Sequence, residues 1–123
     1  YRITPPPLKT LGRTNPLTSG RTDYNLFETV ALTISDDSWI EDYIPNVTAL
    51  VEKHGGNYLV RTPQVEIIEG GGGEPNIMVL MEFPSKEAAQ AFHDDPAYKP
   101  FLEARLAGAS GNMYLFADED IAA

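Results

Sequence analysis

The residues from Leu26 to Ile34 divide by alternation into two faces, which predicts a strand. One face carries Phe27, Thr29, Ala31 and Thr33, and the other carries Leu26, Glu28, Val30, Leu32 and Ile34. After this strand, the spacing between apolar residues lengthens to three and four positions, which is typical of a helix with one buried stripe. That stripe consists of Trp39, Ile40, Tyr43, Ile44, Val47, Leu50, Val51 and His54.

Start and stop signals frame this first helix. The residues able to accept hydrogen bonds from its first amide groups are Asp36, Asp37 and Ser38. Gly55 and Gly56 end it. Pro45 has no amide hydrogen and clashes with the carbonyl four residues back, so we expect a kink there or a late restart near Asn46.

Two strands and a long turn are predicted next. The second strand covers Asn57–Thr62 and is bulged or broken at Pro63 before it continues over Val65–Ile68. The glycine-rich segment 69–75 predicts a turn, and Asn76–Phe83 a third strand that returns antiparallel. A phosphate-binding loop is not expected in this turn, because acidic residues flank it and no strand-to-helix context surrounds it.

The last third of the chain predicts two helices and a final strand. Ser85 can cap a helix that runs to about Asp94, and Pro96 opens a shorter one. Gly108 and Gly111 would end the shorter helix. The last strand is expected over residues 113–117.

The resulting order is strand, helix, strand, strand, helix, strand, which predicts an α+β fold. Right-handed crossovers give a four-stranded antiparallel sheet of order 4-1-3-2, with the helices on one face. The strands carry apolar residues on both sides, so the second face must also be buried. We expect a two-fold homodimer whose sheets face each other.

Composition separates the chain into two parts and excludes several classes of function. Residues 1–23 are proline-rich and without period, which indicates an extended arm, while residues 24–123 form the folded domain. The arm is either a loose tail or a basic segment that lies over the acidic body or a partner. A net charge of −9 argues against nucleic acid and anionic membranes as partners.

No apolar run approaches a membrane span, and no secretory segment opens the chain, although it begins at Tyr1 and a trimmed leader stays open. The absence of cysteine fits a reducing compartment, so a cytoplasmic location is expected. With two histidines and no cysteine, no metal site and no cofactor are expected.

Two blocks of the chain resemble the family called domain of unknown function 1330 (DUF1330), of the dimeric α/β-barrel, ferredoxin-like superfamily. The first block joins His54-Gly55-Gly56 to Tyr58-Leu59-Val60-Arg61. The second joins Glu82-Phe83-Pro84-Ser85 to Asp94-Asp95-Pro96. Further matching residues are Tyr43, Glu69, Gly70, Ala88, Ala89, Ala91, Phe92, Tyr98 and Arg105. His93 departs from the pattern, which has an aromatic residue there.

The resemblance implies a homodimer with a pocket between sheet and helices in each subunit. Relatives in that superfamily include cofactor-free monooxygenases, isomerases, haem enzymes and plain ligand binders.

One candidate centre is a pair of acidic strand residues. Alternation places Glu82 on the face of the third strand with Met78 and Leu80, and we expect Glu28 to share it. Arg61 is the natural counter-ion. Burial of such a cluster would suit a general acid or base, whereas an ion pair at the sheet edge or dimer seam would be structural.

The histidines and several aromatic or basic residues are the other candidates. His54 either caps the first helix or acts as a base, and His93 either lines the pocket mouth or ends a helix in solvent. The residues expected to bind the ligand are Arg61, Tyr58, Tyr98, Arg105 and Tyr43.

These candidates favour a metal-free, enzyme-like protein that acts on a hydrophobic oxygenated small molecule. Isomerisation, cyclisation or dehydration by acid–base catalysis, or cofactor-free oxygenation, would be the chemistry, with the acid or base drawn from Glu82, Glu28, His54 and His93. Arg61 or Arg105 would hold a developing oxyanion. The alternatives are a non-catalytic binding module and a structural protein that acts through its arm.

Overall fold

The computed structural model describes residues 25–122, so the predicted N-terminal arm lies outside the described residues. Four strands form one antiparallel sheet in the order β2-β3-β1-β4, which is the predicted order 4-1-3-2 read from the other edge. The strands are β1 (Leu26–Ile34), β2 (Asn57–Thr62), β3 (Ile77–Phe83) and β4 (Ala109–Ala117). The helices are α1 (Ile40–Lys53), α2 (Lys86–His93) and α3 (Lys99–Gly108).

The core lies between the helices and one face of the sheet, which we call the inner face. Val30 and Leu32 of β1 and Met81 and Phe83 of β3 are buried there. Because directly paired residues of antiparallel strands point to the same side, the register Glu28↔Met81 assigns the even-numbered residues of β1 to this face. The helices contribute Val47, Val51, Ala89 and Phe92, and Tyr98, directly before α3, joins them.

Helix α1 differs from its prediction at both its start and its proline. It begins at Ile40 after Trp39, whose side chain makes no capping hydrogen bond, while Asp36 instead accepts from the amide of Ser38. The expected restart near Asn46 is wrong, because the helix continues through Pro45. Pro45 is exposed, so the carbonyl it leaves without an intrahelical donor can be hydrated.

The predicted strand at Val65–Ile68 is also wrong, since residues 63–76 form no strand. The β2–β3 ladder ends at Thr62↔Met78. Beyond that point the Asn76 side chain exchanges two hydrogen bonds with the backbone of Ile34, at 2.9 and 3.2 Å. The irregularity expected at Pro63 lies earlier, where the register shifts across Leu59.

The second half of the chain follows its prediction more closely. The Ser85 hydroxyl caps α2 by accepting a hydrogen bond from the amide of Ala88, at 3.0 Å. Gly108 ends α3 as expected, whereas Gly111 lies inside β4. Strand β4 begins at Ala109, four residues earlier than predicted, because β1 extends to Ile34 and pairs with it there.

The other side of the sheet, which we call the outer face, carries apolar residues from all four strands. They include Phe27, Ala31, Val60, Met78, Leu80, Tyr114 and Phe116. Tyr114 is 64% exposed and Phe116 46%. Among the described residues, no helix is long and apolar enough to cross a membrane.

Gly56 is required by packing, which gives a first prediction. A Cβ at this position would lie 2.7 Å from the Phe83 ring and 2.8 Å from Val51, both fully buried. We expect Gly56→Ala to lower the free energy of unfolding by about 1–3 kcal/mol, because a packed core yields little to an added methyl group. Urea denaturation measures the change.

The matched control is Gly71→Ala, where a Cβ would meet nothing within 4 Å. The control should leave the urea midpoint where it is. Equal effects of the two substitutions would contradict the close packing around Gly56.

Candidate functional site

A cavity of about 130 Å³ lies between the inner face of the sheet and helices α1 and α3. Most of its wall is aliphatic and comes from both layers. The lining residues are Val30, Leu32, Ile34, Trp39, Ile40, Tyr43, Ile44, Tyr58, Arg61, Ile77, Val79, Met81 and Arg105. The site is therefore an apolar chamber with a few polar groups, as is usual for small-molecule sites.

Arg105 is the most deeply buried cation of this chamber. Helix α3 carries it into the core, where only 6% of the residue is exposed. Its Nη2 donates to the Tyr98 hydroxyl at 3.5 Å and lies 3.9 Å from the Met113 sulfur, while Nε has no hydrogen-bond partner in the described part of the chain. Among residues 25–122, no carboxylate lies within 4 Å of its guanidinium.

Tyr43 and Tyr98 form a phenol pair beside Arg105. Their hydroxyl oxygens are 3.2 Å apart, which joins α1 to the segment before α3. Burial raises the pKa of Tyr43 well above its ordinary value, and the neighbouring Tyr98 adds to that rise. Tyr43 therefore keeps its proton at neutral pH and can donate it in a hydrogen bond.

Tyr58 and Arg61 reach the same cavity from β2. Their spacing of three would place them on opposite faces of a regular strand, but the extra residue at Leu59 turns Arg61 inward to pair with Val79. The Arg61 guanidinium lies 3.8 Å from the centre of the Tyr58 ring and donates to the Thr48 hydroxyl at 2.8 Å. Burial raises the pKa of Tyr58 to about 12, against the opposing charge of Arg61.

Glu28 and His93 form a hydrogen-bonded pair next to the cavity. His93 Nε2 lies 2.8 Å from Glu28 Oε1, and Glu28 is only 2% exposed. The second oxygen of Glu28, Oε2, is buried without a hydrogen-bond partner among the described residues. Glu28 does not itself line the cavity, but it pairs across the sheet with Met81, which does.

The expected carboxylate cluster of Glu28 and Glu82 does not exist. Glu82 pairs with Phe27 and lies on the outer face, whereas Glu28 lies on the inner face. The prediction was wrong because it assumed a register one residue away, and such a shift moves a strand residue to the opposite side of the sheet. Arg61 is likewise on the inner face, so it is no counter-ion for Glu82.

His54 is at the end of α1, as its position in the stripe predicted, and is not among the residues lining the cavity. Its Nε2 lies 2.8 Å from Asp95 Oδ2, an oxygen that Lys53 also approaches at 3.1 Å. The contact ties α1 to the segment between α2 and α3.

The structure thus brings together Tyr43, Tyr58, Arg61 and Arg105 at the cavity, while Tyr98 contacts Arg105 and the Glu28–His93 pair lies beside the lining residue Met81. Sequence reasoning missed one residue of the cavity and one contact outside it. Trp39 lines the cavity, and the helical stripe that contains it could have indicated this. Asp95 pairs with His54, a contact that no local pattern signals.

Within residues 25–122, no group of three or more His, Asp or Glu side chains is arranged to hold a metal ion. The polar lining consists of phenol, indole and guanidinium groups. All of these can donate hydrogen bonds, and none is a preferred ligand of divalent cations.

The sequence matches the profile of one known protein family. The profile of the domain of unknown function DUF1330 matches residues 27–118, so the chain belongs to this family. The match covers the three described helices and all of β2, β3 and β4, and it includes β1 from its second residue onward. No match was found among curated proteins.

Solved structures share the fold at low sequence identity. The protein RPA0582 of unknown function from Rhodopseudomonas palustris is 16% identical with a TM-score of 0.65, over 81% of this chain and 85% of its own. SnoaB, a cofactor-independent oxygenase from Streptomyces nogalater, is 11% identical with a TM-score of 0.57, over 79% and 95% of the chains.

A DABB-family protein from Mesorhizobium loti is 15% identical with a TM-score of 0.54, over 79% and 97% of the chains. That protein has a ferredoxin-like fold. Together the three likenesses establish a ferredoxin-like α+β fold for this chain.

The contact between His54 and Asp95 predicts that the stability of the protein depends on pH in the acidic range. The hydrogen bond from His54, followed by those from the Ala97 amide and Lys53, holds the pKa of Asp95 well below its ordinary value of 3.8. A depressed folded-state pKa stabilises the protein above the ordinary value, and this contribution is lost as the pH falls below it. Asp95→Asn should therefore flatten the fall of the urea midpoint below about pH 4.

Asp94→Asn is the control, because Asp94 makes its side-chain contact with Gln90 alone. In this control, the urea midpoint should fall with decreasing pH as steeply as it does in the wild-type protein. An Asp95→Asn protein with an unchanged slope would show that the cluster adds no acid-sensitive stability.

Proposed function

We propose that this protein is a homodimer, enzyme-like in character, that acts on a hydrophobic oxygenated small molecule. The observation that supports this most directly is the composition of the cavity: aliphatic walls, with polar groups that can all donate hydrogen bonds. Such donors favour negative charge on a ligand oxygen, which is the charge that an enolate or a tetrahedral adduct develops.

The Glu28–His93 pair would exchange protons with that ligand. Glu28 Oε2 is buried and receives no hydrogen bond from the described residues, and His93 Nε2 bonds the other oxygen, so the pair would take up and return one proton. Removal of a carbon-bound proton leaves its electron pair on the ligand as an enolate, which Arg105 and Tyr43 would stabilise. Return of the proton at another carbon gives an isomer.

Oxygenation is the other chemistry that the same enolate permits. Dioxygen would be the oxidant: it would take two electrons from the enolate and bond to its carbon as a peroxide, and the proton held by the pair would return to the outer oxygen to give a hydroperoxide. The ferredoxin-like fold shared with the cofactor-independent oxygenase SnoaB is compatible with this course. At 11% identity that likeness supplies no residue roles.

A non-catalytic binding module is the second candidate, and one observation favours it. Among the described residues, no carboxylate or imidazole lines the cavity directly, since Glu28 lies beside Met81 on the inner face and His93 contacts Glu28. A ligand held by the donors alone would then be bound without reaction.

Carbon–hydrogen exchange separates the two candidates. A panel of enolisable ketones and acids and of phenols would be incubated with the protein in D₂O, with binding and loss of carbon-bound hydrogen followed by NMR. For an enzyme we expect exchange that Glu28→Gln slows by about 100-fold or more, the usual size of a general-base contribution. His93→Gln should slow it as well.

His54→Gln is the matched control, because this imidazole lies away from the cavity. With this variant, the carbon-bound hydrogen of the ligand should exchange at the wild-type rate. Tight binding without exchange would favour the binding module, and a cavity that bound no compound of the panel would refute the proposal.

The proposed dimer rests on the outer face of the sheet. Leu80 lies on this face on an interior strand, among residues that a second copy would cover. We expect Leu80→Asp to convert a dimer into a monomer, because it would bury a charge without a partner. Sedimentation equilibrium measures the mass.

Leu106→Asp is the control, since Leu106 is 61% exposed on α3. It should leave the mass unchanged. A wild-type protein that sediments as a monomer would refute the dimer.

A further inference from the structure

The charge of Arg105 has no partner of opposite sign in the part of the chain that the structure describes. Its neighbours are the neutral Tyr98 hydroxyl and the Met113 sulfur. Burial of an unpaired cation is costly, and proteins normally match it with an anion. Within residues 25–122, Nε is also buried without a hydrogen-bond partner, so the guanidinium keeps unused hydrogen-bonding capacity.

We infer that the ligand is itself an anion: a hydrophobic monocarboxylic acid of about one ring, whose carboxylate binds Arg105. This inference rests on the proposed small-molecule function and narrows its substrate class. The planar guanidinium matches a carboxylate better than it matches a single ketone oxygen, because it can donate two parallel hydrogen bonds.

The volume of the cavity limits the size of the acid. At about 130 Å³ the cavity is slightly smaller than an apolar cavity of roughly 150 Å³, which accommodates benzene. A benzoate-sized acid or a short branched acyl chain would fill it. A polycyclic acid would extend beyond this volume through the exposed side of the cavity and would gain less contact with the walls.

The walls also select against small inorganic anions. Val30, Leu32, Ile77 and Val79 present only hydrocarbon, and a phosphate or sulfate ion would lose its hydration against them without compensation. An acid with an apolar body gains from both parts of the site. Its ring or chain contacts the aliphatic wall while its carboxylate reaches Arg105.

Arg61 extends the positive character to the exposed side of the cavity. It is exposed, stacks on Tyr58 and uses Nη1 for Thr48, and its remaining N–H groups can meet an incoming acid. The chain as a whole carries a net charge of −9, which disfavours anionic ligands elsewhere on the surface. The two arginines therefore provide a local attraction within an acidic protein.

The test compares benzoate with benzamide, which have nearly the same shape and differ in charge. Binding of each to the full-length protein would be measured by isothermal titration calorimetry at neutral pH. We expect benzoate to bind about tenfold tighter or more, as a charge-assisted hydrogen-bonded pair should. Inorganic phosphate should not compete with it.

Arg105→Met removes the charge and keeps an unbranched apolar chain in its place. In this variant the advantage of benzoate over benzamide should disappear. Lys99→Met, an exposed position on the same helix, is the charge-matched control and should bind benzoate as the wild type does. Arg105→Lys, which keeps the charge without the planar fork, should retain part of the advantage.

The thermal midpoint of Arg105→Met is a second readout. A buried cation that serves only to bind a ligand destabilises the ligand-free protein. Removing the charge of Arg105 should therefore leave the thermal unfolding midpoint unchanged or raise it. A structural Arg105 would instead give a marked loss of stability. That loss, together with equal binding of benzoate and benzamide by the wild-type protein, would overturn the inference.

The outcomes separate this inference from the proposed function. Equal affinity for benzoate and benzamide, or tight binding of polycyclic acids in place of benzoate, overturns the inference and leaves a small-molecule site. Failure of these probes together with every ketone and phenol of the exchange panel refutes the proposed function itself.

Discussion

The pairing of β1 with both of its neighbours is the constraint on which the rest of the structure depends. The register Glu28↔Met81 decides which residues of the central strand face the helices, and through them what the space between the layers contains. With this register, Val30 and Leu32 form the floor of the cavity and Glu28 is buried beside it. A shift by one residue would bury Phe27 and Thr29 instead and expose the carboxylate.

The helices complete the site by covering that floor with groups that are polar at one end. Tyr43, Tyr98 and Arg105 each bury an apolar body and meet at their polar ends, so the layer is closed without being uniformly hydrophobic. As a result, the positive charge of Arg105 lies in the interior of the protein. Most small domains avoid such a charge, because its burial costs free energy unless hydrogen bonds or an opposite charge compensate for the lost hydration.

Much of this architecture follows from the sequence, and the errors have specific causes. The elements with a strong period, β1 and α1, and the Ser85 cap were predicted at or close to their observed bounds, because local chemistry determines them. Four of the cavity's polar residues, Tyr43, Tyr58, Arg61 and Arg105, were also named in advance. The Glu28–Glu82 cluster failed because register is a non-local property, and the Glu28–His93 pair joins positions 65 residues apart.

The extra residue at Leu59 has a consequence for how sites of this kind can change. A strand normally fixes the side of each residue by odd or even parity, and one inserted position reverses that parity for everything after it. In β2 this reversal carries Arg61 from the exterior of the sheet to the cavity without any change of amino acid. Length variation in an edge strand is therefore a means of adding or withdrawing an internal charge, and it leaves the central strands undisturbed.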